Sequence, residues 1–319
     1  MRKKVVLIGG GSGSFNVLKG LKKYALRSDE DDSIEISSIV TMMDSGGSSG
    51  VIRDEHGTLP PGDARRCLVA LSNETELMKE LFQYRFGENL KGHSFGNLFL
   101  TALTEILGSE DKAMIEAGKM LDAKGKVIPV TLDKVNLCAE LMDGSILKKE
   151  SEFDEGKKER AKIKRVFLNP KAKANPSALY AIKEADVIIL GPGDLFASII
   201  SNLLVEGISE AINSSKAVKI YNCNIMTKHG ETDGYSVKDF SDKINEFIKV
   251  DIITYSKTQF SPSVLKKYKA EKAEPVDKEI PKNAIGFDFA TQPIVRHDSE
   301  KTAKVLIGLI FGDGGKKLN

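Results

Sequence analysis

Three glycine-rich turns, each following a run rich in β-branched residues, constrain this chain more than any other feature. Gly9-Gly10-Gly11-Ser12-Gly13-Ser14 follows Val5 to Ile8, Ser45-Gly46-Gly47-Ser48-Ser49-Gly50 follows Ile39 to Thr41, and Gly191-Pro192-Gly193 follows Val187 to Leu190. A strand that ends in such a turn brings bare backbone N–H groups to one edge of a sheet, where a phosphate accepts them. Three such turns, two of them entering helical patterns, point to one nucleotide or phosphorylated ligand lying across the carboxyl edge of a parallel sheet.

Bulk properties narrow the partner. The 319 residues, 41% hydrophobic, suffice for one large α/β domain or two smaller ones. Forty-seven basic against 45 acidic side chains leave a net charge of +2, so no long-range field draws nucleic acid or an anionic membrane. Cys67, Cys138 and Cys223 stand far apart in no metal-ligand spacing and read as ordinary thiols of a reducing compartment. The apolar run after Met1-Arg2-Lys3-Lys4 is too short for a signal peptide, and no stretch approaches the length of a membrane span. The expected location is the cytoplasm.

Along the chain, Val5 to Ile8 reads as a buried parallel strand, and Phe15, Val17, Leu18 and Leu21 then repeat at helical spacing. Ser28 to Ser33 carries four consecutive acids and reads as a solvated loop before a strand at Ile34 to Thr41. Helical patterns follow at Ala64 to Leu71 with Asp63 as cap, Glu74 to Phe86, Phe95 to Leu107 with Ser94 as cap, and Asp111 to Leu121. Val127 to Thr131 reads as a strand, and Asn136 to Met142 with Ser145 to Lys149 as a hairpin turning at Asp143-Gly144. The charged stretch Glu150 to Arg165 reads as an exposed excursion. The α/β alternation then resumes: strand Val166 to Leu168, helix Pro176 to Glu184, strand Val187 to Leu190, helix Leu195 to Leu204 and strand Val218 to Tyr221. Helices at Ser236 to Ile248, Pro262 to Tyr268 and Asp298 to Ile310, with short strands near Ile252 and Ile285, close the chain. The expected fold is a Rossmann-like three-layer α/β domain over 1–319, its sheet mostly parallel, with a helical insertion at about 63–121 and a hairpin at about 136–153.

The first turn misses the dinucleotide fingerprint, because Asn16 stands where a glycine or alanine is required, and no lysine follows in Walker spacing. Asp44 and Asp63 sit just past structural elements, where two carboxylates together with phosphate oxygens suit Mg²⁺; Asp63 as a simple helix cap is the competing reading. Arg53, Arg65 and Arg66 flank these acids and either clamp a diphosphate or pair with them. His93 and Asn97, at a glycine-flanked helix start, can hydrogen-bond a sugar or phosphate or serve the fold alone. Gly191, Gly193 and the Ser198 hydroxyl form the junction with the strongest phosphate-binding logic. Asn224 follows the next strand at the same edge, where its amide can read a base or close a turn. No nucleophile elbow, Cys/His pair or zinc spacing is present.

Taken in order, Gly9 to Gly13, Asp44-Ser45-Gly46-Gly47-Ser48-Ser49-Gly50, Leu59-Pro60-Pro61-Gly62-Asp63-Ala64-Arg65, Gly92-His93-Ser94-Phe95-Gly96-Asn97-Leu98-Phe99-Leu100, Gly191-Pro192-Gly193 and Gly230-Glu231-Thr232-Asp233-Gly234-Tyr235 resemble the gluconeogenesis-factor branch of the family that also holds 2-phospho-L-lactate transferase. The resemblance covers almost the whole chain and implies a UDP-sugar-binding regulator that supports cell shape and wall synthesis during gluconeogenic growth. It implies nucleotide contacts at Gly10, Gly11 and Gly13, places Asn224 in the family's segment after the fifth strand, and puts Tyr268 and Arg296 at the UDP-sugar site; Ser12, Asp44, Gly62, His93, Asn97, Gly191, Gly193 and Ser198 complete the expected ligand set. Asp44 and Asp63 match the acids that hold metal in the transferase branch. Three positions depart from the pattern: Ser45 where the transferases carry a second adjacent acid, Asp194 for a serine, and Ser12 for a threonine. The first weakens metal-assisted attack on a phosphoanhydride.

The leading expectation is therefore a non-catalytic sensor of a UDP-sugar such as UDP-N-acetylglucosamine, with a protein partner still to be identified, no required cofactor, and a homodimer by base rate. The rival is a Mg²⁺-dependent phospholactyl transfer from a nucleoside diphosphate to a deazaflavin. An NAD(P)-linked oxidoreductase is disfavoured by the incomplete fingerprint and the missing ribose acid.

Overall fold

The computed structural model describes residues 2–25, 32–154 and 161–312. Its strands are β1 (Lys3–Gly9), β2 (Ile34–Val40), β3 (Lys126–Pro129), β4 (Asn136–Leu141), β5 (Ile146–Leu147), β6 (Ile163–Asn169), β7 (Val187–Leu190), β8 (Val218–Asn222), β9 (Ile252–Ser256) and β10 (Ala284–Phe287). Seven of them form one parallel sheet in the order β10-β9-β8-β7-β1-β2-β3, and β5-β4-β6 form a small antiparallel sheet.

Both faces of the large sheet are buried, which is why β1 reads as an uninterrupted apolar run. Val5 and Leu7 join one core with Val17, Leu18 and Leu21 of the helix Gly11–Ala25, Leu68 of the helix Gly62–Leu71 and Leu306 of the helix Ser299–Phe311. Val6 and Ile8 join the opposite core with Ile182 of Pro176–Glu184, Ile208 of Ile208–Ser214 and Phe240 of Val237–Asn245. The small sheet packs on this second core through Leu137, Ala139 and Val166. The expected three-layer architecture and hairpin are both present, and Gly144 makes the hairpin turn with φ of 86°. No helix among the described residues is long and apolar enough to cross a membrane.

Several local readings change. The expected strand at Val166 to Leu168 is the longer β6, and it pairs antiparallel with β4 instead of joining the large sheet. Its Lys164 and Arg165 are exposed while Ile163, Val166 and Leu168 are buried, the one-sided pattern of an antiparallel strand. The charged stretch from Glu150 is not one loop: Ser151–Asp154 is a helical turn with Phe153 buried, and β6 begins at Ile163. Residues 155–160 of that reading, and 28–31 of the acidic loop before β2, lie outside the described residues. Helices Gly47–His56 and Ile208–Ser214 lack a sequence signal strong enough to announce them, the first because Gly-Ser-Ser-Gly is a poor helix-forming start. The helix after β7 opens with a π-helical turn, Leu195–Ile200, in which the Asp194 carbonyl accepts from both Ser198 and Ile199.

The sheet order has its switch point between β1 and β7, since the chain runs outward from β1 to β2 on one side and from β7 to β8 on the other. The turns after these two strands meet there. The Gly191 N–H donates to the Ile8 carbonyl at 2.9 Å, and a Cβ on Gly13 would sit 2.2 Å from the Pro192 carbonyl oxygen. Gly13→Ala therefore forces backbone against backbone. It is expected to cost about 1–3 kcal/mol in urea unfolding, and an unchanged midpoint would show that the two turns do not pack as described.

Candidate functional site

Two adjoining cavities open at this switch point. The first, about 280 Å³, is lined by Gly10, Gly11, Ser12, Gly13 and Asn16 from the first turn, Gly193, Asp194 and Ser198 from the junction after β7, Asn224 to Met226 after β8, Arg66, Tyr268, and Val295 to His297. The second, about 190 Å³, is lined by Thr41, Asp44, Asp63 and Glu150, and it shares Gly11, Arg66, Asp194 and Ser198 with the first. Segments more than 280 residues apart in sequence thus converge where ligands bind in open parallel sheets. A larger cavity of about 500 Å³ lies over the early residues of β1, β2 and β3 beside Tyr180, and no glycine turn reaches it.

The scaffold behind the cavities is tied together by short polar contacts. Thr41 N–H donates to the Gly9 carbonyl at 3.1 Å, Thr41 Oγ1 lies 3.0 Å from Ser201 Oγ, and Asn224 Nδ2 donates to the Gly193 carbonyl at 2.9 Å. These bonds hold the ends of β1, β2 and β8 and the helix after β7 in one arrangement. At the far wall, Tyr268 Oη accepts from the Val295 N–H at 2.9 Å, which fixes the helix Pro262–Ala270 against the segment carrying Arg296. The Arg296 side chain is exposed.

The second cavity is acidic. Asp63 does not cap its helix: the helix starts at Gly62 after Pro61 with no side-chain cap, and the Asp63 carboxylate instead accepts from the Gly11 N–H. It is wedged there, because a Cβ on Gly10 would lie 2.3 Å from Asp63 Oδ2. Burial first, and the neighbouring Asp44 charge second, push Asp63 up to about 6 against the pull of the Arg66 guanidinium. Arg66 Nη1 stands 3.5 Å from Asp63 Oδ1, one helical turn on. Asp44 is held by its own turn, with Oδ1 accepting from the Gly46 N–H at 2.9 Å.

Of the three flanking arginines, only Arg66 faces the cavities. Arg65 is buried, donating to Asn97 Oδ1 at 2.9 Å and the Phe82 carbonyl at 3.3 Å, and burial lowers its pKa to about 10. Arg53 donates to Asn136 Oδ1 at 2.7 Å. His93 and Asn97 stand outside the lining of both cavities: His93 Nδ1 and Asn97 Nδ2 each meet Ser48 Oγ at 3.0 Å, so both belong to the network that locks the helix Phe95–Leu107 against Gly47–His56. Gly62 and Gly191 are also outside the lining, although a Cβ on Gly62 would come within 2.9 Å of Asp44 Oδ2. All the other expected ligand residues line one cavity or the other.

Asp194 is not a cap either. It pairs with Lys228 at 2.9 Å, and Lys228 also meets the buried Glu231 at 2.8 Å. Lys228, two residues before the Gly230 to Tyr235 segment, thereby offsets the Asp194 charge at the edge of the first cavity. Sequence reasoning gave Lys228, Asn16, Glu150 and His297 no ligand role, although Lys228 lies two residues before the Gly230 to Tyr235 motif, Asn16 follows the first glycine turn and His297 follows Arg296.

A family model described as 2-phospho-L-lactate transferase CofD matches residues 5–295. The chain is 41% identical over 321 residues to the gluconeogenesis factor of Halalkalibacterium halodurans, covering 96% of each chain. It is 39% identical over 323 residues to that of Bacillus subtilis, covering 97% of this chain and 98% of the relative. A crystal structure of a UPF0052 family member from Bacillus halodurans superposes with a TM-score of 0.89 at 40% identity, covering 96% of this chain and 99% of that one.

The Asp63 environment has a measurable consequence. Its carboxyl titrates near 3.8 when unfolded and about 6 when folded, so the folded state loses stability as pH rises from about 4 through about 6. Asp63→Asn removes that loss. Relative to the unaltered protein, the variant should gain about 3 kcal/mol in urea unfolding between about pH 4 and about pH 7; parallel pH profiles would contradict the assignment.

Proposed function

The chain belongs to the 2-phospho-L-lactate transferase CofD family, and from that premise we propose that it is a cytoplasmic UDP-sugar-binding regulator, a gluconeogenesis factor that supports wall synthesis and cell shape. The observation that carries the reading is the first cavity. It combines backbone N–H groups of two glycine turns, two arginines of which neither is committed to a buried pair, and an aromatic ring, the recognition set for a diphosphate joined to a ring system. In this reading Gly13 and Gly193 receive the diphosphate while the Gly11 N–H stays with Asp63, Arg66 and Arg296 neutralise it, and Tyr268 packs against base or sugar. The free buried cysteines Cys67, Cys138 and Cys223 accord with a reducing compartment. A UDP-sugar such as UDP-N-acetylglucosamine is the ligand we favour, and occupancy of the cavity would alter a surface read by a protein partner.

The acidic second cavity favours one alternative, a Mg²⁺-dependent phospholactyl transferase acting on a deazaflavin. Asp44 and Asp63 fit a divalent cation chemically: both offer hard oxygens beside the phosphate positions of this reading, and Asp63 carries a burial cost that a cation would offset. Bound there, Mg²⁺ would supply charge neutralisation on the transferring group. Ser45, in place of a second adjacent acid, gives its hydroxyl to Ser151 at 3.2 Å and adds no carboxylate to the cavity. That difference is why regulation, and not transfer, is the reading we adopt.

Thermal shift separates the two. A ligand present at about 100 times its Kd stabilises the native state by about 2.7 kcal/mol, so UDP-N-acetylglucosamine should raise Tm by several degrees without Mg²⁺, while NAD⁺ should not. Arg296→Ala should abolish that shift and leave the apo Tm unchanged. A response to GDP with Mg²⁺ alone would reject the sensor and support the transferase.

A further inference from the structure

Two residues that line the first cavity each carry a buried side-chain polar atom without a hydrogen-bond partner, Asn224 Oδ1 and His297 Nε2. Buried polar atoms are paired in nearly all folded proteins, and an unpaired one costs free energy that a ligand recovers on binding. The orientation of the Asn224 amide is set by its other end: Nδ2 donates to the Gly193 carbonyl, so Oδ1 must be the free atom. His297 is 7% exposed, stacks on Phe289 at 5.0 Å with the rings 29° apart, and lies at the end of the segment that carries Arg296. Burial pushes its pKa down to about 3, against the smaller opposing effect of a ring N–H donating to the Cys223 backbone, so the ring is uncharged at neutral pH. An uncharged imidazole holds one donor and one acceptor and adds nothing to phosphate binding through charge. Asn224 and His297 also share a neighbour, since Cys223 precedes Asn224 and its backbone is the one His297 contacts. Ile225 and Met226 supply apolar lining beside them.

We propose that Asn224 and His297 are the nucleoside-reading pair of this site, with Asn224 Oδ1 accepting from a base N–H or a ribose O–H and His297 making the second, charge-free contact. The proposal rests on the nucleotide-binding reading above and adds to it the part of the ligand that these residues recognise. Arg66, Arg296 and the glycine turns grip the diphosphate whatever base it carries. Selectivity among nucleotides then resides in the two unpaired atoms, because a ligand that lacks the matching group leaves them buried and unsatisfied.

The test measures Kd by calorimetry for UDP, 2′-deoxy-UDP and N3-methyl-UDP, with the unaltered protein and with His297→Phe and Asn224→Ala. The phenylalanine keeps a ring on Phe289, and each variant is checked for an unchanged Tm. One of the two modified ligands should bind roughly tenfold or more weakly to the unaltered protein, which also identifies base or ribose as the donor. At least one substitution should erase that difference, a pattern that a purely structural role would not produce because it would weaken all three ligands alike. Equal affinities for the three ligands, or a penalty that survives both substitutions, would overturn the proposal. If UDP does not bind, the UDP-sugar reading fails, and GDP, 2′-deoxy-GDP and N1-methyl-GDP carry the same contrast; no binding in either series would overturn both.

Discussion

The contact on which the site depends is backbone against backbone, where the turn after β1 meets the turn after β7. The two strands pair in register from Val5 with Val187 to Ile8 with Leu190, and that pairing delivers both turns to the same place. Side chains cannot intervene, because Gly13 has no room for a Cβ beside the Pro192 carbonyl, and the Gly10 backbone is equally close to Asp63. The result is a floor made of peptide groups. Anion-binding concavities of this kind gain their affinity from N–H groups already oriented before the ligand arrives.

Charge is divided across that floor. On one side Arg66 and Arg296 face the larger cavity; on the other Asp44 and Asp63 face the smaller one. Arg66 belongs to both, and its 3.5 Å approach to Asp63 is a half-exposed pair worth little to stability by itself. Its position matters more than its energy, since it stands where a phosphate would compete with Asp63 for the same guanidinium. Asp194 would tip this balance toward repulsion if Lys228 did not hold it, and the turn bond from the Gly230 N–H to Asp233 at 2.7 Å shapes the loop that presents Lys228. The residues from Lys228 to Asp233 thus brace the charge that Asp194 brings to the cavity edge.

The elements that the sequence reveals are those with a strict period. β1, the helix Gly11–Ala25 and the helix Phe95–Leu107 with its Ser94 cap are legible because burial on a parallel sheet or a helix face leaves a regular apolar pattern. β6 is misread because its length and one-sided burial are interrupted by Lys164 and Arg165. The same limit applies at the site. Arg53, Arg65 and Arg66 are indistinguishable by composition, and only the rotation of the helices decides that Arg65 turns inward to Asn97 while Arg66 turns to the ligand side. His93 and His297 show the converse. The first sits in a conspicuous glycine-flanked motif and serves packing, whereas the second has no motif and lines the cavity, because its place is set by the bridge that Ala290 and His297 make with each other.

Asp63 links these observations. A carboxylate that accepts one backbone N–H, is shielded from water and faces another acid has been placed at an energetic disadvantage by the fold, and such placements concentrate at functional sites. The Gly10 backbone crowds one side of it, and its other side faces the second cavity. A charged ligand bound beside it would therefore shift its protonation equilibrium. A diphosphate alone would add negative charge and compete for Arg66, favouring the protonated carboxyl, whereas a divalent cation held with it would favour the carboxylate. The two proposed readings thus call for opposite shifts at one buried side chain.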